Sequence, residues 1–278
     1  TPVLTSTTYY RAVVTSGVCT SANSTTATVT VNPTSVGGAA SALPNPVCSG
    51  SSTTITLTGN TGAIQWQSSP DNITFTNIPG ATASTYITPA LTSTTYYRAV
   101  VTSGVCASAN STTVTVTVNP TSVGGTASAS PNPVCSGSST TLTLAGNTGT
   151  IQWQSSPDNI IFTNISGATA STYATPVLTS ITYYRAVVTS GVCPSANSTT
   201  ATVTVNPTSV GGTASASPNP VCSGSSTTLT LAGNTGTIQW QSSPDNIIFT
   251  NISGATASTY ATPVLTSTTY YRAVVTSG

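Results

Sequence analysis

Residues 175–191 read TPVLTSITYYRAVVTSG, and within them Thr182–Thr189 alternates in character. Tyr184, Ala186 and Val188 fall on one face, with Tyr183, Arg185 and Val187 on the other. Successive side chains of a strand point to opposite sides, so this pattern predicts a strand with one face in a core. Upstream, Thr150–Gln154 places Ile151 and Trp153 inward and Gln152 and Gln154 outward. The SPDN stretch at 156–159 then puts Pro-Asp at the centre of a type I turn. Thr126–Ser130 and the 131–135 segment read as an edge strand split by prolines that a central strand would not tolerate. Thr140–Ala145 turns Leu142 and Leu144 to one face. Ile160–Ile165, Ser171–Ala174 and Thr200–Val205 complete the set, the last with Ala201, Val203 and Val205 inward. Seven or eight short strands with turns between them, and no helical period, predict an all-β sandwich.

The same stretch recurs. TPxLTSxTYYRAVVTSG begins at Thr1, Thr88, Thr175 and Thr262, a constant step of 87 residues. A repeat of this length is one structural unit, so the chain is expected to be a tandem, linear array of sandwiches. The expected boundaries are 1–32 (the C-terminal part of a repeat), 33–119, 120–206, and 207–278, a repeat lacking its last strand. The last 17 residues duplicate the first 17, so the chain reads as a window on a longer polymer. Export signals and anchors are expected outside it.

Composition narrows the function. Of 278 residues, 62 are Thr and 42 Ser, while charged residues make up only 3%. There are four Arg and three Asp, and no Lys, Glu, His or Met. That leaves no imidazole base or His metal ligand, no local carboxylate pair, and no Schiff-base or Walker lysine. Four positive charges make no basic face for nucleic acid. No apolar run reaches membrane-spanning length. Neither an enzyme nor a cofactor is expected, and the expectation is a structural or adhesive protein. Each whole period carries one Arg and one Asp and is neutral.

Two features carry a family resemblance. Trp153 occupies the place of the buried Trp on the third strand of an immunoglobulin-like sandwich, and TSITYYRAV (179–187) is similar to the stretch that opens its sixth strand. The usual inter-sheet disulfide is missing, since Leu144 and the Arg185–Ala186 region sit about where its cysteines would be. The pattern NPxxVCSGSSTTLTL, IQWQSSPD, TTYYRAVVTSGVCxSAN and ATVTVNP resembles the Ig-like repeats of giant Bacteroidota-type cell-surface proteins, including gliding-motility adhesins and type IX secretion cargo. The resemblance implies export, a bacterial cell-surface or extracellular location, and no catalytic residues.

Six cysteines lie at 19, 48, 106, 135, 193 and 222. Their spacing contains no CxxC, so disulfides are expected and no metal site. In Ig topology Cys48 and Cys135 close the first strand at one end of their domain, and Cys106 and Cys193 lie between the last two strands at the other. A seven-residue strand spans about 23 Å, against a Cα separation of about 4.4–6.8 Å in a disulfide. Head-to-tail stacking therefore favours an inter-domain Cys48–Cys193 bond, 145 residues apart. The alternative is the intra-domain class, Cys48–Cys106 and Cys135–Cys193, whose 58-residue span is typical of Ig bridges. Partners for Cys19 and Cys222, and for Cys135 under the first scheme, are expected outside the window.

Asp71, Asp158 and Asp245 are assigned to turn chemistry, because one carboxylate per repeat is too few for calcium. Trp66, Trp153 and Trp240 are assigned to the core. Tyr96, Arg98, Tyr183, Arg185, Tyr270 and Arg272 form a candidate surface-contact face, with a cation–π or Arg–Asp contact as its structural reading and a glycan patch as its functional one. The expected function is a disulfide-stabilised structural segment of a surface stalk or extracellular fibre. Its partner is itself, through further repeats and lateral bundling. The alternative is an adhesin that binds glycans or surfaces through the Tyr/Arg face.

Overall fold

A computed structural model describes residues 2–277. Every regular element among them is a strand. Two compact units divide the chain, one of residues 1–122 with 189–194, the other of 123–188 with 195–278.

Residues 120–206 fold as an immunoglobulin-like sandwich. Its first sheet runs Thr126–Ser130, Thr141–Ala145, Thr172–Ala174 in spatial order. The second runs Thr163–Asn164, Thr150–Ser156, Thr182–Thr189, with Ala196–Asn197 and Ala201–Val203 both paired to the last of these. Short turns join Thr150–Ser156 to Thr163–Asn164, whereas Thr141–Ala145 reaches Thr172–Ala174, and Thr150–Ser156 reaches Thr182–Thr189, across intervening strands. Leu142, Leu144, Trp153, Tyr184, Ala186, Val188, Ala201 and Val203 close the space between the sheets and are buried. The alternation in the sequence is thus the alternation of core and surface. Trp153 is fully enclosed, and its indole N–H donates to the Ala170 carbonyl at 2.9 Å, so its one polar atom is satisfied.

The first strand changes sheets. After Ser130, two prolines interrupt the ladder, and Val134–Cys135 pairs in parallel with Val205–Asn206. Asn132, between the prolines, supplies what they cannot: its amide donates to the Thr202 carbonyl at 2.8 Å and accepts from the Thr204 N–H at 3.0 Å. A side-chain amide has both a donor and an acceptor, so it mimics the missing backbone group.

Two expected strands are corrected. Ile160–Ile165 is extended only at Thr163–Asn164. The Asp158 carboxylate accepts from the Ile160 and Ile161 N–H groups, at 2.9 and 3.0 Å, which holds that backbone in a turn and leaves both isoleucines exposed. Thr200–Val205 is divided into Ala201–Val203 and Val205–Asn206, because its two halves pair with different strands.

The sandwich of residues 33–119 repeats this plan, with Trp66, Ile55, Val101 and Val116 fully buried. In residues 207–278 the core is Leu229, Leu231, Trp240 and Ala255. There Tyr270–Thr276 pairs with Thr237–Ser243, and Tyr271, Ala273 and Val275 are only partly buried. Their counterparts Tyr184, Ala186 and Val188 are buried because Ala201–Val203 lies beside them.

Candidate functional site

Cys48 and Cys193 are joined by a disulfide, with sulfurs 2.02 Å and Cα atoms 5.0 Å apart across 145 residues of sequence. Each is delivered by a different device. Val47–Cys48 pairs in parallel with Val118–Asn119, and the next N–H, of Ser49, donates to the Asn119 carbonyl at 2.8 Å. Cys48 is thereby fixed beside the point where the chain leaves the 33–119 sandwich. Cys193 closes a tight turn in which its N–H donates to the Ser190 carbonyl at 2.9 Å. That turn is held on Asn119–Ser122: the Ser190 N–H donates to Ser122 Oγ at 2.9 Å, and Cys193 Sγ lies 3.2 Å from the Pro120 carbonyl oxygen. By sequence the turn belongs to the third period, yet residues 189–194 pack in the first compact unit together with Cys48.

The intra-domain pairing, Cys48–Cys106 and Cys135–Cys193, is not what forms. Cys106 sits in the equivalent turn of its own repeat, held where the chain enters: the Ser103 N–H donates to Ser35 Oγ at 2.9 Å, and the sulfur is 3.4 Å from the Pro33 carbonyl oxygen. Cys48 lies at the exit. The strand Thr95–Thr102, 8 residues long, separates the two ends by about 26 Å. Cys19, Cys135 and Cys222 are exposed thiols and Cys106 is half-buried.

The Tyr/Arg face has a different composition from that read in the sequence. Arg98 stacks on Phe75, its guanidinium carbon 4.0 Å from the ring centroid, and its Nε donates to Gln67 Oε1 at 2.8 Å. Gln67 in turn donates to Asn77 Oδ1 at 2.8 Å. Arg185 with Phe162, Gln154 and Asn164, and Arg272 with Phe249, Gln241 and Asn251, repeat this chain. The register Arg98↔Gln67 across adjacent strands explains the contact, because directly opposed side chains share a face. Tyr96 and Tyr183 are half-buried and Tyr270 exposed beside their arginines. The phenylalanines, glutamines and asparagines were missed in the sequence. For the phenylalanines and asparagines the one signal is that FTN recurs once per period, a fixed distance from each Arg, and for the glutamines it is the outward alternation of IQWQ.

The aspartates engage turns. Asp71 Oδ1 accepts from Ser69 Oγ at 2.7 Å and from the N–H groups of Ile73 and Thr74 at 2.9 Å each. These donors hold its carboxyl down at about 2, with the Thr74 N–H contributing most. Asp158 and Asp245 are lowered by the same contacts. Among the described residues no ion pair joins an Arg to an Asp, and no group of three or more His, Cys, Asp or Glu gathers as a metal site. A hollow of about 370 Å³ in residues 207–278 is lined by Asn219, Cys222 and Thr269, at positions that Val205–Asn206 covers in the preceding sandwich.

The family model described as a domain of unknown function (DUF8696) matches residues 1–33, 36–120, 123–207 and 210–278. No curated protein matches the chain. Among solved structures, murine CEACAM1b is similar over 60% of this chain and 98% of its own, at 15% identity and a TM-score of 0.42. The chicken CNTN1 FN1–FN3 domains are similar over 85% of this chain and 90% of theirs, at 13% identity and a TM-score of 0.33. The murine receptor complex of a mouse coronavirus receptor-binding domain gives 15% identity and a TM-score of 0.45 over 60% of this chain and 98% of that one.

Proposed function

We propose that the repeats of this chain, which belongs to the family described as a domain of unknown function (DUF8696), are structural modules of an extracellular or bacterial cell-surface stalk or fibre. The observation that carries this reading is the Cys48–Cys193 bond. It ties the exit of one sandwich to a turn of the following period, so neighbouring repeats are covalently joined at a second point besides the backbone. A junction held at two points resists bending more than one held by the backbone alone, which is a mechanical property. The chemistry around it is inert: neutral per period, threonine-faced, and built on carboxylates already held ionised by their own turns. Disulfides persist in oxidising compartments, which suits an external location.

Small-angle scattering of the 278-residue chain with peptide mapping tests this. The expected result is a Cys48–Cys193 peptide pair and an extended particle, at about 35–45 Å for each repeat. Reduction should increase the spread of conformations. A compact particle whose dimensions ignore reduction would refute the reading.

A second reading is adhesion, in which the repeats contact glycans or surfaces directly. What favours it is the arginine face, where among the described residues the guanidinium of Arg98, Arg185 and Arg272 makes its side-chain bond through Nε.

A further inference from the structure

The acid and the base of each repeat are both committed to neighbours other than each other. Arg98 is held flat on Phe75 and anchored through Nε, and Gln67, which anchors it, is itself fixed by Asn77. What remains is the Nη edge of an immobilised fork. Such a fork matches a carboxylate in a bidentate way, and little side-chain entropy is left to lose when one arrives. On the same hairpin, Asp71 uses Oδ1 for three donors, and its Oδ2 lies outside those bonds.

We propose that the Arg98, Arg185 and Arg272 forks receive the Asp71, Asp158 and Asp245 carboxylates of a second copy of this chain, so that copies associate side by side. The proposal deepens the fibre reading and rests on it. Charge complementarity selects the occupant. Each whole period carries one Arg and one Asp and no other charged residue, so a second copy brings the needed carboxylates in equal number. Asp71 lies four residues from Phe75, on which Arg98 stacks, so a two-fold contact would engage both groups of each copy. The patch has an apolar margin: Ile73 is 83% exposed, and Ile160 and Ile247 are each 80% exposed, two residues from their aspartates. A neutral chain also brings no long-range repulsion against its own copy.

A glycan fits less well, because Trp66 is enclosed in the core and the guanidinium already takes one face of Phe75 on which a sugar could stack. A single exposed ion pair is weak, so no one of these contacts holds two copies together alone. The chain carries three such Arg and Asp sets, one in each of residues 33–119, 120–206 and 207–278, so the same contact is offered more than once to a second copy.

Sedimentation of the oxidised 278-residue chain tests this. Self-association should weaken by about tenfold or more between 0.01 and 0.15 M salt, where the screening length falls from about 30 to about 8 Å. The triple variant R98E/R185E/R272E and the triple variant D71R/D158R/D245R should each stay monomeric alone and associate when mixed. Because Asp71 also holds a turn, D71N/D158N/D245N is the gentler control, keeping Oδ1 as an acceptor while removing the charge. It should likewise lose association with its near-ultraviolet dichroism unchanged. A wild-type chain that stays monomeric in low salt, or associates with the same affinity after arginine reversal, overturns the proposal. So does binding of a polyuronate that depends on the arginines while no self-association occurs, since the forks would then serve a glycan. Extended scattering with no lateral association would sink this contact and leave the fibre reading standing.

Discussion

Gly191 lies so close to Asn119 that a Cβ built on it would stand 2.4 Å from the side-chain amide carbon, and its φ is +53°. Gly104 and Asn32 stand in the same relation in the preceding period. The turn that presents Cys193 thus depends on a residue with no side chain, pressed on the asparagine that precedes Pro120. Substituting Gly191→Ala adds a backbone cost of about 1–2 kcal/mol to a steric one. The control is Gly50, whose φ is +85° with nothing within 4 Å of a built Cβ. G191A should lower the melting temperature more than G50A, and should slow Cys48–Cys193 formation, read by trapping free thiols during oxidative refolding.

Removing the disulfide by Cys193→Ser leaves a long loop unclosed. Loss of a cross-link of this kind costs about 2–4 kcal/mol in the usual case. The expected result is a lower first unfolding transition, with the transition of the 207–278 sandwich unmoved. Calorimetry under reducing and non-reducing conditions measures it. Equal transitions with and without the bond would show that it adds no stability.

Trp153→Phe removes the indole N–H that satisfies the Ala170 carbonyl and opens space in a closed core. Loss of a hydrogen bond of this kind costs about 0.5–1.5 kcal/mol before any cavity is counted. Denaturant unfolding should show the loss without a change in slope. The equivalent change at Trp66 or Trp240 should behave alike, since each donates to the corresponding alanine carbonyl, Ala83 or Ala257.

The pH profile should be flat over a wide middle range. Asp71 is held down at about 2, so it binds a proton more readily when unfolded, and its stabilising effect is present above the ordinary carboxylate range. That effect disappears as pH falls toward 2. Tyr97 and Tyr184 are pushed up to about 12 by burial, so the unfolded chain gives up those protons first, and stability should fall as pH rises from 10 through 12. Melting temperatures measured across the range check both edges. A drop near neutrality would contradict the assignment.

Much of the fold was legible because burial in a two-sheet core imposes a period of two. Leu142, Leu144, Tyr184, Ala186 and Val188 are all inside, as their alternation requires. What the alternation could not reveal was competition from side chains for backbone groups. Asp158 turned an apparent strand at Ile160–Ile161 into a loop, and Asn132 let Val134–Cys135 leave the first sheet and pair with Val205–Asn206. The surface face was half legible. Tyr and Arg stood out in one strand, whereas Gln67 reaches Arg98 from the adjacent strand and Phe75 from the loop before Thr76–Asn77, through a register that a single-strand pattern does not contain. The cysteine spacing left two pairings open, and the position of the 190–193 turn against Asn119 distinguishes them.

The covalent ring closed by Cys48 and Cys193 encloses 144 intervening residues (193 − 48 − 1 = 144). A protease nick or hydrolytic break at any one of the peptide bonds inside that ring leaves both fragments on one molecule. Tension applied from outside it would then run through sulfur until a second break occurred. Single damage events are tolerated there, and failure needs two.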